Sequence, residues 1–338
     1  MDTRDSPEQA ELRRSARQLA QALGPATVGG LGDRARRDRL ATAVRDAGWL
    51  ELRDDAGGGT PLAGGAETAI VAEALGEAVA DTAFTGPVLV RDLLRRAGSA
   101  ITASAVAFGP TLAGAATDLP ADAIDAVDAS EGSDAIVLVP EDAGFGLGRV
   151  PLAAAAPGTD LTRLLATVAA DAPVEAVDGS LSDDDLAAWT ALGLALTSAD
   201  LVGVMRGVLD VTVAYAAERR QYGVPVGSFQ AVQHLLADAR CLLEGSVSAA
   251  RYAAWAVDNA PPAEAVPAGR VAKAYAVRAA RTVCETAVQV HGGIGNTWEC
   301  VVHVYLRRAL LSSQWFGDDE VQLAALQRER LGVSVGLP

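Results

Sequence analysis

Four groups of residues have types or spacings that could do chemistry. The cysteines Cys241, Cys284 and Cys300 are an odd number without CxxC spacing, so they frame neither a disulfide scaffold nor a zinc site. Cys241 and Cys284 fall in helix-like patterns, where a free cysteine is ordinarily a small buried hydrophobe. The histidines His234, His291 and His303 show no metal-binding spacing, and no metal is expected; His234 and His303 read as structural. The run Gly57-Gly58-Gly59 meets neither the GxGxxG nor the GxxxxGK(S/T) pattern of a phosphate cradle, so it reads as a loop. Two strings remain. One is Glu218-Arg219-Arg220-Gln221-Tyr222-Gly223-Val224-Pro225-Val226, followed by Phe229-Gln230; the other is Gln289-Val290-His291-Gly292-Gly293-Ile294-Gly295. For structure alone they are an ordinary helix–turn–helix with a surface arginine pair and a glycine cap. Their order and separation exceed what composition explains.

The surrounding elements place both strings among helices. Residues 7 to about 98 carry helical periodicity, beginning with Ser6-Pro7 before Glu8 and interrupted at Gly24-Pro25, with further helices expected over 33–47, 67–78 and 88–96. From about 99 to 185 the texture changes to short apolar runs, at 105–108, 135–139 and 174–177, punctuated by Gly, Pro, Asp and Ser. A small, reduced β-domain is expected there. Asp183-Asp184-Asp185 then caps a long helical region, with helices expected over 187–219, 229–259, 265–291 and 300–312 and a fifth near 319–329. Their lengths and short connections favour an antiparallel bundle. The expected organisation is mainly α: an N-terminal helical domain (1–98), a middle β-domain (99–185) and a C-terminal four-helix bundle (186–338).

Composition narrows the function. Of 338 residues, 50% are hydrophobic and 4% aromatic, which favours helix packing over a large aromatic sheet. The 28 basic residues, all arginine except Lys273, face 43 acidic ones, for a net charge of −15. Such a surface repels phosphate backbones and anionic bilayers, which argues against nucleic-acid and membrane partners. The first twenty residues lack the apolar stretch of a signal peptide, and the apolar region 192–217 is interrupted by Asp200, Arg206 and Asp210. A cytoplasmic protein is expected.

The two strings resemble the acyl-CoA dehydrogenase family. Its C-terminal bundle carries an R-x-x-F-G-x-P-(I/V)-x-x-(F/H)-Q turn and, two helices later, Q-x-x-G-G-x-G. The resemblance implies FAD lying extended between two subunits. By position, Arg219 matches the arginine that pairs with the diphosphate, a contact suited to a guanidinium fork. Tyr222 takes the place of a family Phe near the adenosine half, and Phe229 and Gln230 match the cofactor-contacting end of that turn. Gln289, Gly292 and Gly293 match the second loop, where missing side chains let backbone approach the pyrophosphate.

Family catalysis removes the α-proton of an acyl thioester with a carboxylate, commonly the Glu of a Y-E-G-T-x-E-I-Q segment. The matching stretch here is Trp315-Phe316-Gly317-Asp318-Asp319-Glu320-Val321-Gln322, which puts Phe316 at the base position. Other members carry the base on the first bundle helix, and those positions fall near Gly193 and Leu194. A phenyl ring, a hydrogen and an isobutyl group accept no proton. The flavin-ring loop T-E-P-x-x-G-S-D has no clear counterpart, Glu131-Gly132-Ser133-Asp134 being the nearest string. This asymmetry is similar to a branch of actinobacterial sterol-degrading dehydrogenases built as α2β2 heterotetramers, in which one short chain lacks the base. Gly295-Asn296-Thr297-Trp298-Glu299 and Leu306-Arg307-Arg308 fit that branch. The resemblance therefore implies a base-less subunit of an FAD-dependent acyl-CoA dehydrogenase. Its partners would be a homologous catalytic subunit, an acyl-CoA carrying a bulky polycyclic acyl group, and an electron-transfer flavoprotein. The alternatives are a homomeric acyl-CoA or acyl-carrier dehydrogenase using a displaced acid (Asp318, Asp319 or Glu299) and a FAD-free scaffold.

Overall fold

The computed structural model describes residues 4–109, 111–117, 124–129, 133–153, 158–169 and 171–331. Helix α1 (Pro7–Leu23) starts where Ser6 accepts from the Gln9 amide and Gln9 answers to the Ser6 amide, a reciprocal capping box with proline in the first turn. Helix α2 (Arg34–Asp46) is capped by Asp33. The glycine run is a hairpin rather than an open loop: β1 (Asp55–Gly57) pairs with β2 (Thr60–Pro61), and the Asp55 carboxylate accepts from the Gly57 and Gly59 amides at 2.8 and 2.9 Å. Helices α3 (Gly65–Glu77) and α4 (Thr85–Ala97) follow.

Six strands come next: β3 (Ala105–Phe108), β4 (Ile124–Val127), β5 (Asp134–Glu141), β6 (Gly144–Pro151), β7 (Leu165–Val168) and β8 (Glu175–Leu181). They form one sheet in the order β7-β4-β3-β5-β6-β8, antiparallel except for the β3–β5 pair. Alternation decides its two faces. Ala105, Ala107, Ala126, Ala135 and Ala166 build a small alanine-rich core on one side. Val106, Phe108, Val127, Ile136 and Leu138 face the helices and join the main core.

The helices after the sheet are α5 (Asp183–Glu218), α6 (Gln230–Asn259), α7 (Pro262–His291), α8 (Val302–Gln314) and α9 (Asp319–Leu331). A two-residue hairpin, β9 (Arg220–Gln221) and β10 (Val224–Pro225), joins α5 to α6. Ser182, not the aspartate run, is the N-cap of α5; Asp185 completes the capping box, and Asp183 and Asp184 sit in the first turn, where acids favour the helix dipole. Helix α5 is long and apolar enough to cross a membrane by length and composition, yet 94% of its most apolar window is buried inside the protein. It is the central helix of the fold. Of the helical cysteines, Cys284 is buried, but Cys241 is exposed, because it falls on the outer face of α6.

A buried ion network locks the sheet to the bundle. Arg163, on the loop before β7, reaches Asp200 of α5 at 3.0 Å and Asp128 at 3.5 Å. Arg308 of α8 reaches Asp200 at 2.7 Å, and the Ser312 hydroxyl donates to it at 2.6 Å. Burial alone would raise the Asp200 pKa, but Arg163 and Arg308 outweigh it and hold the carboxyl at about 2. Arg308, part of the string that suggested the branch, thus does structural work.

Candidate functional site

The two strings meet at one end of the bundle. Since α5 and α7 run parallel and α6 opposite to them, the end of α5, the start of α6 and the end of α7 fall together. Tyr215, one turn before Arg219 on α5, stacks on His291 with ring centroids 4.2 Å apart, and His291 immediately precedes Gly292. Its ring is buried, with Nδ1 against the Ala287 carbonyl at 2.9 Å; burial lowers its pKa against the pull of that carbonyl, so it is a neutral packing group at neutral pH. It holds the second loop against the first.

On that frame the side chains point outward. Tyr222 and Gly223 take left-handed φ values of 53° and 81°, the pair of positive angles that a tight two-residue hairpin requires. Tyr222 at the tip is 94% exposed, and its ring meets Phe229 edge-on at 6.4 Å. Arg219 is exposed at the C-cap of α5, and no carboxylate among the described residues lies within ion-pair distance of it. Gln230 and Gln289 are exposed where α6 begins and α7 ends. A side-chain carbon added at Gly292 or Gly293 would meet nothing within 4 Å, so open space lies over bare backbone. Arg219, Tyr222, Phe229, Gln230, Gln289, Gly292 and Gly293 therefore share one exposed end of the bundle, with a guanidinium free to take a phosphate.

The base region is the opposite kind of environment. Phe316 is 2% exposed, and its ring lies in a cage of Phe108 (5.1 Å, edge-on) and Trp189 (5.2 Å, tilted), with Trp315 beside it. It also covers Gly193: a Cβ there would stand 2.0 Å from the ring Cζ. The two positions that the resemblance implied for a base, Phe316 and the stretch at Gly193, thus meet in space, and the phenyl ring fills the gap between them. Phe316 adopts φ 66°, a conformation unfavourable for a residue with a Cβ. Its amide donates to the Leu112 carbonyl at 2.8 Å, and its carbonyl accepts from Gln322 Nε2 at 2.6 Å. The surroundings over-determine the strain.

The displaced acids have other roles. Asp318 accepts from the Val321 amide at 3.0 Å at the start of α9, Asp319 pairs with Arg278 at 2.5 Å, and Glu299 is exposed on the loop before α8. None of them joins the aromatic cage. Of the Glu131-Gly132-Ser133-Asp134 string, the first two lie outside the described residues; Ser133 and Asp134 open β5 beside Ser104, whose hydroxyl is 2.5 Å from that of Ser133. Nothing in the sequence pattern singled out Trp189 or Phe108 as the cage. The only available signal was the presence of large aromatics in an aromatic-poor chain.

Residues 191–331 match the family model described as the C-terminal domain of acyl-CoA dehydrogenase. The acyl-CoA dehydrogenase IpdE2 of Mycolicibacterium smegmatis is 32% identical over 295 residues, covering 86% of each chain. The acyl-CoA dehydrogenase FadE34 of Mycobacterium tuberculosis is 40% identical over 151 residues, which cover 43% of this chain and 21% of that protein. Among solved structures, the ChsE4–ChsE5 complex of Mycobacterium tuberculosis contains a chain that superposes with a TM-score of 0.76 at 22% identity, covering 99% of this chain and all of that one. A Tcur3481–Tcur3483 steroid acyl-CoA dehydrogenase variant gives 0.77 at 22% identity, covering 96% and 98%.

Proposed function

The chain belongs to the acyl-CoA dehydrogenase family, oxidoreductases acting on CH–CH bonds, and we propose that it is the subunit of a heteromeric member that grips FAD while a partner chain removes the substrate proton. The supporting observation is the packing of Phe316 on Gly193. Both positions that the family resemblance implies for the base lie in one buried spot, and an aromatic ring fills that spot.

The exposed end of the bundle fits the diphosphate and adenosine portion of FAD. Arg219 would pair with the diphosphate, Gly292 and Gly293 would let backbone amides approach it, and Gln230 and Gln289 would donate or accept at its flank. Tyr222 and Phe229 offer a ring surface for the adenosine half. When bound, FAD supplies the acceptor for the β-hydrogen. Everything else at the reacting carbon, including the carboxylate and the pocket for the acyl group, would come from the partner. The Tcur3481–Tcur3483 steroid acyl-CoA dehydrogenase and the two-component ChsE4–ChsE5 complex among the fold relatives favour a partner of the same family and a bulky polycyclic acyl-CoA, with an electron-transfer flavoprotein receiving the electrons.

The test is to purify the chain alone and co-expressed with candidate acyl-CoA dehydrogenase subunits from the same genome, reading flavin absorbance and acyl-CoA oxidation. Flavin and activity only in the complex are expected. In that complex Arg219→Ala should strip the flavin. Activity of the chain by itself would return the reading to displaced-acid catalysis, and a colourless, inactive complex to a scaffold.

A further inference from the structure

A chamber lies where α1, α3, α5 and α6 meet. Its floor is apolar and mostly of small side chains: Ala69 and Ile70 of α3, Ala199 and Val202 of α5, and Ala250 and Ala254 of α6, all buried. The alanines leave a volume of about 80 Å³, where a protein interior ordinarily keeps few voids larger than one water. Val202 stands about two and a half turns along α5 from Gly193 and so faces the opposite way. The chamber shares no residue with the Phe316 cage or with the end of the bundle that carries Arg219 and Gly292.

Its mouth is charged. Among the described residues, the ionic groups there are Arg4, Arg13 and Arg251 against Asp5 and Glu73. Arg13 reaches Asp5 and Glu73, each at 2.7 Å, and Glu73 is shared with Arg206 at 3.0 Å. The hydrogen bond from Arg13 chiefly, and also the charge of Arg251, hold the Asp5 carboxyl below its usual range. Three guanidiniums thus face two carboxylates, a local excess of one positive charge in a chain of net charge −15.

We propose that this chamber binds a short straight-chain carboxylate, with its tail on the alanine floor and its head among the three arginines. The volume sets the size. A water needs about 10–15 Å³ of such space, so the chamber offers about five to eight water-sized positions, enough for a carboxylate of about four to six carbons. The floor has no hydrogen-bonding side chain and takes methylenes, while a few polar groups at the mouth fix the head. The positive excess selects an anion over an amine, and the guanidinium fork suits a planar carboxylate. Bound there, the ligand ties the N-terminal stretch, through Arg4 and Arg13, to α6 through Arg251. The site needs neither FAD nor a partner chain, so it stands apart from the proposed dehydrogenase role.

The experiment is calorimetric titration of the full chain with sodium pentanoate, pentylamine hydrochloride and sodium acetate at fixed ionic strength. Saturable heat with pentanoate is expected, with the amine and acetate each weaker by about tenfold or more. Two variants divide the site. Ala250→Met fills the floor and should abolish pentanoate binding; Arg251→Gln leaves the floor intact and should weaken it about tenfold or more. Circular dichroism verifies that each variant keeps the fold, and Arg251→Gln carries the test if Ala250→Met does not. Absence of saturable pentanoate binding, the amine binding as tightly as the acid, acetate binding as tightly as pentanoate, or full affinity in folded Ala250→Met or Arg251→Gln would each overturn the proposal.

Discussion

Gly193→Ala measures directly whether the Phe316 ring packs on α5 at Gly193. Alanine is the better residue in a helix interior by about 1 kcal/mol, so at an open position of α5 the change would stabilise. Here the added methyl would stand 2.0 Å from the Phe316 Cζ, roughly 2 Å short of an ordinary carbon contact. The ring cannot swing aside, because Phe108 and Trp189 stand 5.1 and 5.2 Å from it, centroid to centroid, and Gln322 fixes its backbone. Overpacking of this kind costs about 1–3 kcal/mol, which equals or exceeds the helix gain, so a net loss of up to about 2 kcal/mol is expected. Phe316→Ala alone should cost about 3–5 kcal/mol. In that background the clash is gone, and Gly193→Ala should turn stabilising. Urea unfolding of the four proteins, with unchanged m-values, gives the coupling energy. If Gly193→Ala stabilised the parent and the Phe316→Ala variant equally, the two positions would not touch, and the packing that supports the proposed base-less role would be absent.

Phe316→Glu should not by itself yield a fast homomeric dehydrogenase. The new carboxyl would enter an aromatic cage that raises its pKa, and the sequence holds no clear counterpart of the flavin-ring loop that the resemblance calls for; rapid acyl-CoA oxidation by this variant alone would refute that account. Lys273, fully buried and pointing at the Ser312 carbonyl, has its pKa pushed down by burial from 10.5 to about 7. A depressed pKa means that the favourable state is present above the unfolded value and is lost as pH falls toward the folded one. Stability should therefore rise between pH 7 and about 10 in the parent, and that rise should disappear in Lys273→Met, read as Tm or urea midpoint against pH. An identical slope in both would place the charge change elsewhere.

How much of this was legible in the sequence depended on how local the deciding interactions are. Helices are closely legible because periodicity and caps are local: the α1 capping box lies within four residues, and α6 and α7 part at 260–261, inside the gap expected between 259 and 265. The start of α5 shifted from the aspartates to Ser182 because a hydroxyl that can fold back onto the third amide outcompetes a carboxylate already inside the turn. In the sheet, β4, β6 and β7 escaped notice. Strand β6 alternates glycines at 144, 146 and 148 and so reads as turn punctuation, yet at Gly148 a Cβ would stand 2.5 Å from Val174; the glycine serves close strand packing.

The site divides along the same line. That no carboxylate stands at position 316 is a one-residue fact and needs no fold. That the vacancy is sealed is not local: it requires Gly193 of α5, Phe108 of β3, Trp189 of α5 and Phe316 before α9 to converge, and pairwise spacing encodes none of those distances. The same reasoning separates Arg307 from Arg308. Adjacent in sequence and alike in charge, they point about 100° apart around the helix. Arg308 is consumed by buried Asp200, whereas Arg307 stays at the surface over the exposed Trp298 indole. Which of two neighbouring arginines is drawn into a buried ion network and which stays at the surface is decided by what packs against each face of α8, and no motif in the sequence records that difference.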